Sequence, residues 1–122
     1  IPLGLVIDFI RPKTTFENPV YFILYFIGIF LTIATVEEIA FRGILLNIIS
    51  KILDDEKGAL VISSIIFGFS HYNNSAPGDF RYVFLATIAG IFYGLSYLKE
   101  KRLLPAILVH TSVDTIWKYF FD

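Results

Sequence analysis

The sequence predicts an all-α fold: a multi-pass transmembrane helix bundle with about four core helices. Three observations carry that expectation. The chain of 122 residues is 56% hydrophobic and only 17% charged, with a mean hydropathy of +0.70. A soluble domain averages roughly 45–50% apolar and about 25% charged residues. Long apolar stretches are separated by short charged or turn-rich connections. Inside those stretches sit three polar strings, Glu37-Glu38-x-x-x-Arg42, Phe67-x-x-x-His71 and His110-x-x-x-Asp114. Ionisable groups at bilayer depth cost at least about 2–3 kcal/mol each unless they pair or line a wet cavity, so they are kept for function.

The elements follow in order. Residues 1–19 mix apolar positions with Asp8, Arg11, Pro12, Lys13 and Glu17, and read as the tail of a preceding segment plus an interfacial loop. Residues 20–122 form the transmembrane core. Val20 to Leu53 is the first long apolar helical stretch. Its helical length of about 51 Å exceeds a hydrocarbon core of about 30 Å. Either it breaks near Thr32–Thr35 or one end leaves the bilayer. Lys51 to Gly58 is a charged connection, and Ala59 to His71 is a second segment, short for a full crossing at about 20 Å. Tyr72 to Asp79 is polar and turn-rich. Phe80 to Leu98 is the third segment, closed by Lys99-Glu-Lys-Arg102. Pro105 opens the fourth, since proline suits a first helical position. Trp117 and Tyr119 near its end are expected as interfacial anchors.

Several classes are excluded. A formal charge of −1 gives no basic footprint, so no nucleic-acid partner is expected. Absence of cysteine rules out disulfides and thiolate metal sites. No charged n-region with a cleavage site marks a signal peptide. With no methionine and Ile1 first, the chain is expected to be part of something longer. Ala86-x-x-x-Gly90-x-x-x-Gly94 is a small-residue stripe suited to close helix packing, inside the bundle or in a dimer. Cations nearly balance between the two ends of the helices, so orientation is weakly encoded.

Counting inward from the Lys51/Lys57/Arg102 end, Glu37, His71 and Asp114 lie at depths of roughly 21, 21 and 18 Å on three helices, with His110 at roughly 12 Å. Similar depth on different helices predicts one polar cluster, nearer the 72–79 loop and open to water through it. Glu38 and Arg42 share a face and can pair. Glu37 is turned about 100° away and is free to face another helix. His110 and Asp114 also share a face, and Phe67 walls the pocket beside His71. With neutral histidines, Glu37, Glu38 and Asp114 against Arg42 leave the cluster at −2, which calls for shared protons or a cation.

At these residues the chain resembles the CAAX-protease and bacteriocin-processing (Abi) family of intramembrane proteases. Glu37-Glu38-Ile-Ala-Phe-Arg42-Gly43, Phe67-Gly-Phe-Ser-His71 and His110-Thr-Ser-Val-Asp114 stand in the family's order over roughly residues 20–121. The resemblance implies a CAAX-prenyl-endopeptidase-like enzyme with its active site between the core helices. It cleaves a hydrophobic or prenylated protein or peptide. By that likeness Glu37 and His71 activate a water, His110 and Asp114 hold the oxyanion, and Arg42 steadies the glutamates. The family pattern has Asn or Asp at the last position. Ionised Asp cannot donate a hydrogen bond, so Asp114 is protonated, orients His110, or binds a metal.

No cofactor is required on this reading. A variant places zinc or another divalent metal on Glu37, His71, His110 and Asp114, since catalytic zinc sites mix His and carboxylate, although no His-Glu-x-x-His string is present. The alternative is a non-catalytic membrane protein of the same family acting in bacteriocin immunity by partner binding. A small transporter would show paired repeats, and none is seen. The expected partners are the lipid bilayer and a hydrophobic or lipidated peptide. The expected location is integral to the membrane, the cell membrane in a prokaryote.

Overall fold

A computed structural model describes residues 2–122. Among them the regular structure is entirely helical, apart from one isolated bridge between Pro12 and Phe121. A short helix α1 (Pro2–Val6) precedes four longer ones: α2 (Pro19–Leu53), α3 (Glu56–Ser70), α4 (Arg81–Glu100) and α5 (Leu103–Phe120). Two of them, α2 and α4, are long and apolar enough to cross a membrane. α3 spans only about 22 Å.

Local chemistry explains the boundaries. Asn18 caps α2 by accepting from the Val20 N–H at 2.9 Å, with Pro19 next. α2 ends on Asp54 and α4 on Lys101, both in the left-handed region at φ 49° and 53°. Asp55 caps α3 through the Lys57 N–H. Where the sequence allows a break in α2, the helix instead widens into two π-helical stretches, Phe30–Ala34 and Ile39–Leu46. At the first, both the N–H and the hydroxyl of Thr35 turn back to the Phe30 carbonyl. At the second, Asn47 Nδ2 donates to the carbonyls of Arg42 and Gly43, gathering acceptors loosened by the wider turn. Such widened turns favour functional sites. α5 begins at Leu103, two residues before Pro105. A proline within the first turn forfeits no helical hydrogen bond.

The chain runs up and down. At one end Lys101 pairs with Glu56 at 2.8 Å, joining the α2–α3 and α4–α5 connections. At the other end Arg81 donates to the carbonyls of Ile7 and Asp8, and Arg11 and Asp122 exchange backbone hydrogen bonds. Residues 7–17 therefore strap the start of α4 to the end of α5. α3 packs most extensively on α4, and α5 lies between α2 and α4.

The small-residue stripe is spent inside this bundle. A Cβ on Gly90 would stand 3.0 Å from Phe67 and 3.1 Å from Arg42, and one on Gly94 would strike Leu60. The outward faces are apolar instead: Ile23, Leu24, Ile27, Leu31 and Val36 on α2, and Phe92 and Leu95 on α4, are all exposed. An apolar outer face of this extent calls for a covering.

Candidate active site

The three polar strings meet where α2, α3 and α5 converge, and they form two layers. In the inner layer, Arg42 Nη1 donates to Glu38 Oε1 at 3.1 Å and Arg42 Nη2 donates to the Gly90 carbonyl at 2.6 Å. His110 Nδ1 lies 2.7 Å from the same Glu38 oxygen. A carboxylate only accepts, so Nδ1 carries the proton. These side chains are sealed, with relative exposures of 0% for Glu38, 1% for Arg42 and 2% for His110. Aromatic rings complete the seal. Tyr93 stacks on His110 at 4.4 Å and 13°, and the Arg42 guanidinium lies 4.6 Å from the Phe67 ring centre.

The outer layer is open. Glu37, His71 and Asp114 retain side-chain exposures of 29%, 15% and 33%. Glu37 Oε2 stands 3.8 Å from His71 Nε2 and 3.6 Å from His110 Nε2, and Asp114 Oδ2 is 3.3 Å from His110 Nε2. Thus His110 spans the layers, Nδ1 inward and Nε2 outward. His71 follows the last residue of α3, and its Nδ1 donates to the Phe67 carbonyl at 2.9 Å. A carbonyl cannot donate, so in the neutral ring Nε2 bears the lone pair and faces Glu37. Glu37 Oε2 is itself buried and has no protein hydrogen-bond partner.

A cavity of about 40 Å³ lies against His71, His110 and Asp114. That is room for about one water. Phe67 does wall it, as its spacing from His71 predicts, with ring centres 4.7 Å apart. Two larger spaces adjoin. An apolar cavity of about 290 Å³ sits between α4, α5 and the N-terminal segment, and a groove of about 440 Å³ runs between α2 and α5.

Several neighbours of the site belong to no sequence string singled out for chemistry. Tyr82 stacks on His71 at 5.5 Å and 11°, and Trp117 stacks on Tyr82 at 5.3 Å. Trp117 thus walls the site. Tyr119 is buried and donates to the Glu17 carbonyl at 2.6 Å. Tyr82, Ala86, Gly90 and Tyr93 recur at helical spacing on one face of α4. That pattern of polar-tipped aromatics along a small-residue stripe is the signal that points to them.

The loop after His71 is tied down from outside. Asp79 takes three hydrogen bonds from the Arg81 side chain and one from its backbone N–H, which hold its carboxyl below the usual aspartate range. Glu37, His71, His110 and Asp114 include the donor types of a zinc site. Among the described residues, however, no group of three His, Asp or Glu side chains is arranged to hold a metal ion.

No curated protein and no solved structure matches the chain. A family model does, over residues 19–116, and that span contains all three polar strings. The chain therefore belongs to the type II CAAX prenyl endopeptidase Rce1-like family, a family of membrane proteases.

Proposed function

We propose that this protein is an intramembrane endopeptidase that hydrolyses a peptide bond of a hydrophobic or prenylated protein or peptide with a water activated by Glu37 and His71. α2 and α4 cross the bilayer. α3 and α5 complete a four-helix, multi-pass core around the site, and residues 2–19 are an interfacial segment or the end of a preceding helix.

One observation carries the reading. Glu37 Oε2 and the lone pair of His71 Nε2 are two acceptors facing each other across 3.8 Å with no donor between them. A water resolves this by donating one proton to each, and the adjoining cavity has room for it. Those two bonds raise the electron density on the water oxygen. As it bonds to the substrate carbonyl carbon, a proton passes to Glu37. Negative charge develops on the carbonyl oxygen, where His110, as the imidazolium, offers its Nε2–H in place of the bond to Asp114. Glu37 then returns the proton to the leaving amine nitrogen and the C–N bond breaks. Asp114 accepts from His110 in the resting state and so orients it. Arg42 neutralises Glu38, which fixes the imidazole from behind. The apolar cavity between α4 and α5 shares Tyr93, Val113 and Trp117 with the reaction cavity and suits a lipid chain or bulky apolar side chain.

The test is cleavage of a prenylated peptide by the full chain in liposomes. Glu37→Gln and His71→Ala should each lower kcat by about 10²–10⁴-fold, the range for general acid–base groups. A biological effect that persists undiminished in both variants has partner binding, not catalysis, as its basis. No step above uses a metal. Activity that survives exhaustive chelation ends the zinc-dependent variant, and loss restored by zinc would replace this mechanism.

A further inference from the structure

The groove between α2 and α5 leads away from the reaction cavity toward the strapped end of the bundle. It shares Tyr82, Asp114 and Trp117 with that cavity, so the two are continuous. Its α2 wall is apolar, formed by Ile29 and Ile33, and its single cation is Lys118. The Lys118 ammonium rests 5.0 Å from the Tyr25 ring centre. Among the described residues it takes part in none of the ion pairs. Two of the acids on neighbouring segments, Glu17 and Asp114, are already engaged, and Asp122, four residues on, forms no ion pair with it. Glu17 accepts from Tyr25 Oη at 2.6 Å and lies 3.6 Å from Lys13, and Asp114 lies 3.3 Å from His110. A lysine near a helix C-terminus is favourable on its own account. That role does not require the lysine to line a groove opening on the reactive groups.

Length gives the second argument. Lys118 lies eight residues beyond His110 on α5, about 12 Å along the axis. Three extended residues span about 10 Å. A peptide cut beside His110 and running up the groove would bring its third residue beyond the cut to Lys118. In a prenylated Cys-a-a-X protein, that third residue is the chain terminus.

We propose that Lys118 binds the free C-terminal carboxylate of the substrate, so that the groove seats a three-residue tail and the enzyme measures its cut from the chain end. This rests on the proteolytic reading above and adds a subsite to it. Lys118 is exposed at the far end of the groove, where an incoming carboxylate can reach it, and the apolar wall accepts the side chains of the tail.

The experiment uses the full chain in liposomes and two fluorogenic peptides. Each carries S-farnesyl cysteine followed by three aliphatic residues, one ending in a free carboxylate and the other in a carboxamide. The wild type should cleave the acid with a kcat/KM at least about tenfold above the amide, expressed mainly in KM, as for loss of a hydrogen bond to a charged group. Lys118→Gln should bring the acid down to the level of the amide and leave the amide unchanged. Lys118→Arg should keep part of the preference. Equal cleavage of acid and amide by the wild type overturns the proposal, and so does an equal loss on both peptides in Lys118→Gln. If folded wild-type protein cleaves neither peptide, the prenyl-peptide form of the endopeptidase reading fails and the subsite falls with it.

Discussion

Glu37 and Glu38 are consecutive in sequence and opposite in circumstance. Glu38 is sealed and paired with Arg42 and His110, and both of those partners pack on Tyr93 and Phe67. Glu37 is part-open, with Oε2 unpaired between two imidazoles. One residue step turns a helical side chain by about 100°, and here that step separates a sealed acid from a part-open one. Arg42 and His110 both bond Glu38 Oε1 and hold the inner layer still, although Glu38 Oε2, like Glu37 Oε2, is buried without a partner. The outer layer lacks a donor and has room for one. His110 links the two, so the frame sets the orientation of a group whose Nε2 faces the open layer.

The comparison breaks most sharply on activity. Glu37→Gln should lower cleavage by about 10²–10⁴-fold while leaving the melting temperature in detergent nearly unchanged, because its Oε2 has no partner to lose. Equal damage to stability would merge the two layers into one. Arg42→Leu should do the reverse first. It leaves Glu38 buried without its counter-charge, a loss of about 3–5 kcal/mol readable by unfolding in mixed micelles. Arg42→Lys should recover little of it, since a single ammonium cannot span Glu38 and the Gly90 carbonyl as the guanidinium fork does.

Gly90→Ala sharpens the inner layer further. Its Cβ would meet Phe67 at 3.0 Å and Arg42 at 3.1 Å, and such overpacking costs about 1–3 kcal/mol. An unchanged melting temperature would mean that the Arg42 seat is looser than its contacts suggest. Tyr82→Leu probes the outer layer. It removes the ring stacked on His71 and should cost about 0.5–1.5 kcal/mol, with a change in the pH profile of cleavage that Tyr82→Phe does not reproduce.

The smallest effect lies in the loop before α4. Asp79 is depressed by Arg81, so its share of stability is present above the unfolded aspartate value of about 3.9 and is lost as pH falls through the lower folded value. Asp79→Asn should remove that acid-side decline from the melting curve, measured between about pH 2 and pH 5.

Several features of the site are legible along the chain. Helical rise alone puts Glu37, His71 and Asp114 at one depth, and helical rotation assigns Glu38 to Arg42. Both follow from backbone geometry within a single helix. The cost of charge in an apolar stretch does the rest, because it leaves such residues little choice but to gather.

Contacts across helices obey no spacing rule readable along one chain. The Gly90 carbonyl under Arg42, the Tyr93 ring on His110, Tyr82 and Trp117 over His71, and the widened turn at Ile39–Leu46 all depend on how α4 and α5 are rotated against α2. The amino-acid sequence by itself determined a helical, membrane-suited protein and the residues able to do proton chemistry in it. Only the tertiary structure decided which oxygen stands between two imidazoles, since that is settled by packing among helices and not by order along the chain.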